Sequence, residues 1–263
     1  MKMPELETIE FESDKGVAVI RLARPNSGNA INLALAQDLA TAARTCAEDS
    51  AIKGVLLTGS GAMFCVGGDL KAFSASGEDV SNLVRQVAEK LHDAIWYFRQ
   101  MGAPIVIAVN GTAAGAGFSL TMAGDIVLAA RSAKFTMAYT AAGLTPDGGA
   151  SFFLPRLVGL RRAQELIHTN RILDASQAKD WGLVTDIVDD HQLEATALAT
   201  VRRLACGSGF AHSAAKALLN RSVASSLETQ LALEEEKVAL AAGSPDGREG
   251  ISAFLEKRRP SFG

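Results

Sequence analysis

Two glycine-rich stretches of this chain offer chemistry a set of backbone N–H groups and few reactive side chains. In "AVNGTAAGAGFSLTMAGD" (108–125), Gly111, Gly115 and Gly117 fall within seven residues between two apolar runs. A strand, a glycine turn and a helix in that order leave unpaired N–H groups at a helix N-terminus, where the aligned peptide dipoles favour negative charge. The order G-x-x-x-G-x-G is not the G-x-G-x-x-G of dinucleotide sites, and no Lys-Ser/Thr follows as in a P-loop, so nucleotide phosphates are disfavoured. Close helix–strand packing through Gly115 and Gly117 would explain the glycines equally well. The second stretch, "GSGAMFCVGGDLKAF" (59–73), also follows a strand and can aim an N–H near Gly68 into the same cleft. Two such donors converging on one point form an oxyanion hole, suited to the enolate or tetrahedral anion of a thioester carbonyl.

The elements that must position these turns are legible as alternating segments. Apolar runs of strand length recur at "GVAVIRLA" (16–23), "GVLLTG" (54–59), "PIVIAVN" (104–110), "DIVLAA" (125–130) and "LVTDIV" (183–188). Segments of helical period lie between them, which predicts an α/β core with a sheet covered on both faces. Val80, Leu83, Val84, Val87, Leu91, Ile95 and Phe98 follow the i, i+3, i+4, i+7 spacing of one helix, stopped by "MGAP". Strands cease near residue 190. The predicted organisation is a mixed core over 1–190 followed by a helical region over 191–263.

Composition narrows the function. The chain has 263 residues, 48% of them hydrophobic, which suffices for a sizeable core. A net charge of −3, with acidic and basic residues interspersed, argues against nucleic acid as a partner. No apolar run reaches the length of a membrane span, and "MKMPELETIEFESDKG" lacks a signal-peptide layout, so the cytoplasm is the expected compartment. Cys46, Cys65 and Cys206 have no metal or disulfide spacing and are expected to be packed thiols; no metal site is expected.

Taken together and in order, several motifs resemble the crotonase, or enoyl-CoA hydratase/isomerase, superfamily over essentially the whole chain. They are "RLARPNSGNAIN" (21–32), "FCVGGDLKAF" (64–73), "APIVIAVNGTAAGAGFSLTMAGDIVLAA" (103–130), "AKFTMAY" (133–139), "GLTPDGGASFFLPRLVG" (143–159), "AKDWGLV" (178–184) and "REGISAFLEKRRPSFG" (248–263). The resemblance implies an α/β spiral of ββα units with a C-terminal helical trimerisation region. It also implies an acyl-CoA substrate, no cofactor beyond that CoA thioester, and a homotrimer or dimer of trimers. Carried over by position, the oxyanion donors are the N–H groups of Gly68 and Ala116.

The same resemblance puts Ser119 and Tyr139 where hydratases of the superfamily carry two glutamates. Neither can act as a carboxylate base, so two-glutamate hydration is not expected. Asp147, in "TPDGG", matches the catalytic aspartate of two other branches, the ring-1,2-epoxyphenylacetyl-CoA or enoyl-CoA isomerases and the 4-chlorobenzoyl-CoA dehalogenases. The isomerase branch is the most similar and implies Asp147 as a single acid/base. In the dehalogenase alternative Asp147 is the nucleophile and His92 the base, whereas the spacing of helix 80–98 alone places His92 at its rim. A catalytically inactive binder of acyl-CoA or RNA is the non-enzymatic alternative. For CoA, the resemblance points to the backbone around Asp69, Leu70 and Lys71, to Arg24, and to Lys257 of a neighbouring subunit. The acyl pocket is expected to be lined by "AFSASGED" (72–79) and the helix after it. His168, His191 and His212 are expected to be structural or exposed.

Overall fold

Two sheets share the chain's strands in this computed structural model, which describes residues 6–263; the first five residues of the N-terminal stretch lie outside them. The chain begins with a hairpin, β1 (Ile9–Asp14) and β2 (Val17–Leu22), then helix α1 (Leu33–Glu48). Three strand pairs follow: β3 (Gly54–Gly59) with β4 (Met63–Cys65), β5 (Ile105–Val109) with β6 (Thr112–Ala114), and β7 (Ile126–Ala130) with β8 (Lys134–Thr136). Helices α2 (Leu70–Ala75) and α3 (Val80–Gln100) leave β4, and α4 (Ala116–Thr121) leaves β6. After β8 come α5 (Ala150–Val158), α6 (Leu160–Thr169), β9 (Leu173–Asp174), α7 (Ala175–Asp180) and β10 (Asp186–Val188). The chain closes with α8 (Leu193–Ala205), α9 (Gly209–Ser222), α10 (Leu227–Gly243) and α11 (Pro245–Leu255).

The larger sheet has the order β1-β2-β3-β5-β7-β10, parallel except for the β1–β2 hairpin. Its central strands β3 and β5 are buried at every residue, which is why they read as unbroken apolar runs without alternation. The smaller sheet, β4-β6-β8-β9, takes the second strand of each pair. Each ββα unit therefore turns the same corner from one sheet to the other. Because β4 and β6 are parallel neighbours, with Met63 opposite Thr112 and Cys65 opposite Ala113, the turns leaving them emerge side by side. This brings the two glycine-rich stretches together.

Buried Asn29 fixes this corner. Its amide donates to the carbonyls of Ser60, Met63 and Phe64 at 2.9, 2.9 and 3.1 Å, and its Oδ1 accepts from the Arg24 N–H at 2.9 Å. Asn110 adds a second stitch, accepting from Gly59 N–H at 3.1 Å and donating to Gly61 O at 2.9 Å.

All five strands predicted from apolar runs are present, as is the long helix, now Val80–Gln100. Of that helix's apolar face, Val87, Leu91, Ile95 and Phe98 are buried, whereas Val80 is exposed. The helical region drawn from 191 begins with α8, which packs on β2, β3, β5 and β7 and contributes Leu193, Ala197 and Val201 to the core. The segments that leave the core are α9 to α11. Lys216 of α9 is tied to it by a buried ion pair, Nζ to Asp125 Oδ2 at 2.7 Å. Cys46 and Cys65 are buried, but Cys206 is exposed after the last turn of α8, where the chain leaves the core; it is not the packed thiol that was expected. His168 and His191 are exposed. Among the described residues, no helix is long and apolar enough to cross a membrane.

Candidate active site

A cavity of about 300 Å³ opens between the two glycine turns, α3 and the segment after β8. Gly68 enters it from a bridge to Ile31: Ile31 N–H donates to Gly67 O at 2.7 Å, and Asp69 N–H donates to Ile31 O at 2.9 Å. Those bonds use the residues on either side of Gly68, so the N–H of Gly68 itself faces the opposite edge of the strand. Ala116 is the first residue of α4, and its N–H has no carbonyl one turn back to bond. The two turns touch, since a Cβ placed on Gly67 would sit 3.4 Å from the Ala116 nitrogen.

The glycines serve different structural ends at different positions. Gly115 has φ +51° and ψ −126°, a conformation that favours glycine and turns the chain into α4. Gly117 serves packing: a Cβ there would lie 2.1 Å from the Cys65 carbonyl oxygen. Gly111 likewise lies hard against Ala62 O.

Apolar side chains form the rest of the wall. Val84, Val87, Ala88 and Leu91 come from α3; Val87 and Leu91 are buried at the edge of the core, and Val84 is half-buried against it. Of the segment 72–79, only Phe73 reaches the cavity; Ala142 and Leu144 close the other side. Of the two elements expected to line the acyl pocket, α3 therefore supplies more of this wall than the segment 72–79, and the post-β8 segment adds to it.

Asp147 is the sole carboxylate lining this cavity among the described residues, with its side chain 30% exposed. It sits just before two consecutive left-handed glycines, Gly148 at φ +59° and Gly149 at φ +77°, which lead into α5. Tyr139 donates to Asp147 Oδ1 at 2.5 Å, and Ser119 Oγ lies 2.9 Å from the Tyr139 oxygen. The two positions that resemble hydratase glutamates thus meet each other and Asp147. Burial, with the neighbouring carboxylate second, pushes the Tyr139 hydroxyl well above the ordinary tyrosine range, so it remains a donor.

His92 stands on the far side of Asp147, with Nε2 3.9 Å from Oδ2 and the side chain 51% exposed. It does not line the 300 Å³ cavity. Its Nε2 accepts the Gly148 N–H at 3.1 Å, which occupies the lone pair a base would need.

The residues expected at the nucleotide end are placed less uniformly. Leu70 lines the cavity mouth and is exposed, and Lys71 is exposed on α2. Asp69 is buried: it caps α2 by accepting Ala72 N–H at 3.1 Å and pairs with Arg24 Nη2 at 3.0 Å. Its N–H is spent on Ile31, so Asp69 is an internal strut, not a free backbone grip. Arg24 also donates to Ala30 O, anchoring its guanidinium beside the site. Lys257 follows α11 and is exposed, outside this chain's own cavity. Sequence reasoning missed Asn29, whose only signal was a polar side chain in the "RLARPNSGNAIN" motif; it singled out positions 119 and 139 but not the hydrogen-bond chain that joins them to Asp147.

Comparison with known proteins identifies the family. The profile of the enoyl-CoA hydratase/isomerase family matches residues 12–263. The chain is 39% identical to 1,2-epoxyphenylacetyl-CoA isomerase of Escherichia coli over 98% of both chains. It is 40% identical, over 97% of both, to a protein of Rhodobacter capsulatus named a probable enoyl-CoA hydratase. The crystal structure of an enoyl-CoA hydratase from Polaromonas superposes with a TM-score of 0.92 at 33% identity, covering 97% of this chain and 99% of that one. By sequence and by fold, the chain belongs to the enoyl-CoA hydratase/isomerase family.

Proposed function

We propose that this protein is an acyl-CoA isomerase that shifts a double bond or opens a ring epoxide, using Asp147 as its one acid/base. The observation that carries the reading is that Asp147 is the one carboxylate, among the described residues, on a mainly apolar cavity also lined by Gly68 and Ala116. Asp147 removes a proton from the acyl carbon next to the thioester. The electron pair passes to the thioester oxygen, held by the two N–H groups, and the same carboxyl returns the proton further along the chain. Each such donor contributes about 2.7–4 kcal/mol to the transition state.

Hydration requires groups that hold and activate water, and here Ser119 and Tyr139 bond to each other instead. The dehalogenase reading draws support from His92 beside Asp147, but the Gly148 N–H engages the nitrogen that would act as base. A non-catalytic binder would have no use for a carboxylate held by a tyrosine. The CoA moiety is proposed to lie over Leu70 and Lys71 near Arg24, with Lys257 supplied by a neighbouring copy. A homotrimer or dimer of trimers fits α10, which buries none of its residues and exposes Leu227, Leu231, Val238 and Leu240.

The test is a panel of 3-enoyl-, 2-enoyl-, epoxyphenylacetyl- and 4-chlorobenzoyl-CoA with wild-type protein and Asp147→Asn. The variant is expected to lose turnover on the true substrate and to keep affinity within a few-fold, since the amide preserves shape and removes the base. Retention of more than a tenth of the wild-type rate would remove Asp147 from the reaction.

A further inference from the structure

Ser119 and Tyr139 do more than fill space beside Asp147. Ser119 is completely buried and Tyr139 nearly so, and their oxygens form a chain that ends on Asp147 Oδ1. The direction of the chain follows from proton inventory. An ionised carboxylate only accepts, so the Tyr139 hydroxyl spends its one proton on Asp147. Ser119 is then the donor to Tyr139 at 2.9 Å, with the Gly115 carbonyl, at 3.3 Å, the weaker competitor. The arrangement is braced from the other side as well. Gly148 packs so closely on Ser119 that a Cβ at Gly148 would lie 2.9 Å from the Ser119 Cβ, which holds the Asp147 turn against the start of the chain.

We propose that Ser119 and Tyr139 are positioning residues that clamp the Asp147 carboxylate through Oδ1 and so fix the orientation of the group that takes and returns the substrate proton. This rests on the isomerase reading above. In the step itself the C–H bond breaks toward the carboxylate and its electron pair moves into the thioester; the new O–H bond later breaks toward another carbon, with no net change in the protein. The titratable groups facing Asp147 are Tyr139, from the turn after β8, and His92, from α3.

The experiment measures kcat and KM separately on a medium-chain 3-enoyl-CoA, with the full chain as wild type, Tyr139→Phe, Ser119→Ala, the double variant and Asp147→Asn. Tyr139→Phe is expected to lower kcat by roughly ten- to a hundredfold with KM within threefold. Ser119→Ala should lower kcat by less, again with KM unchanged, and should add nothing in the Tyr139→Phe background. A Tyr139→Phe protein with kcat within threefold of wild type overturns the clamp, as does a rise in KM that matches the fall in kcat, or an equal loss from Ser119→Ala in both backgrounds. If Tyr139→Phe does not fold, an unchanged kcat in Ser119→Ala overturns it alone. Turnover by Asp147→Asn above a tenth of the wild-type rate fells the isomerase reading and the clamp together; an inactive Asp147→Asn beside unaffected hydroxyl variants fells only the clamp.

Discussion

Adding one methyl group at Gly117 should disable the proposed oxyanion site without touching a single polar side chain. The Cβ of Gly117→Ala would lie 2.1 Å from Cys65 O, 2.7 Å from Cys65 Cβ and 2.8 Å from Cys65 C. A comfortable carbon–oxygen approach is about 3.3 Å, so α4 must retreat from β4 by roughly 1.2 Å. Cys65 cannot yield easily, because its strand is paired to β6 and its side chain is buried. Ala116 precedes the substituted residue and moves with it, stretching an N–H···O contact of about 2.9 Å to near 4 Å, beyond hydrogen-bond range. Loss of one donor costs about 2.7–4 kcal/mol, a hundred- to thousandfold in kcat, and the overpacking itself costs about 1–3 kcal/mol of stability. The assay is kcat on a 3-enoyl-CoA together with a thermal melt. Gly209→Ala serves as the reference, since its Cβ would meet nothing within 4 Å. A Gly117→Ala protein with kcat within threefold of wild type and an unchanged melting temperature would refute the reasoning.

Other perturbations separate the remaining features. His92→Gln should change the isomerisation rate by less than about tenfold, and mixing 4-chlorobenzoyl-CoA with it should leave the protein mass unchanged; an adduct on Asp147 would reverse the order of the two chemical readings. Burial pushes the Cys46 and Cys65 thiols up to about 12, so a thiol reagent at pH 8 should titrate one cysteine, Cys206, in the native protein and three after denaturation. The raised Tyr139 hydroxyl contributes stability that is fully present below the ordinary value of 10.0 and is lost as pH rises above it toward the higher folded value. Equilibrium unfolding from pH 9 to 11 should therefore show a steeper alkaline decline in wild type than in Tyr139→Phe, and parallel curves would contradict that account.

The sequence made the large sheet readable because β3 and β5 are buried on both faces and so consist of continuous apolar residues. The smaller sheet was not readable, since β4, β6 and β8 have three residues each and β9 has two, too few for any period to appear. The amphipathic spacing of α3 predicted a buried face, but only the structure shows that Val84 and Ala88 face a cavity while Phe98 faces the core. The two glycine turns could be found because glycine spacing after a strand is a local signal. The Ser119–Tyr139–Asp147 chain spans 28 positions and depends on tertiary approach, so no local pattern marked it. Arg24 and Asp69 illustrate the opposite case: each motif was visible, but their mutual ion pair was not.

In the proposed reaction the anion is held by main-chain groups of Gly68 and Ala116, which come with the corner between the two sheets and are indifferent to most side-chain substitutions. Asp147 and the two hydroxyls proposed to clamp it, at positions 119 and 139, are by contrast side chains on three separate segments. The second set can therefore be exchanged while the first stays in place, one substitution at a time, without dismantling the scaffold. A new reaction in this framework would require re-equipping one cavity wall.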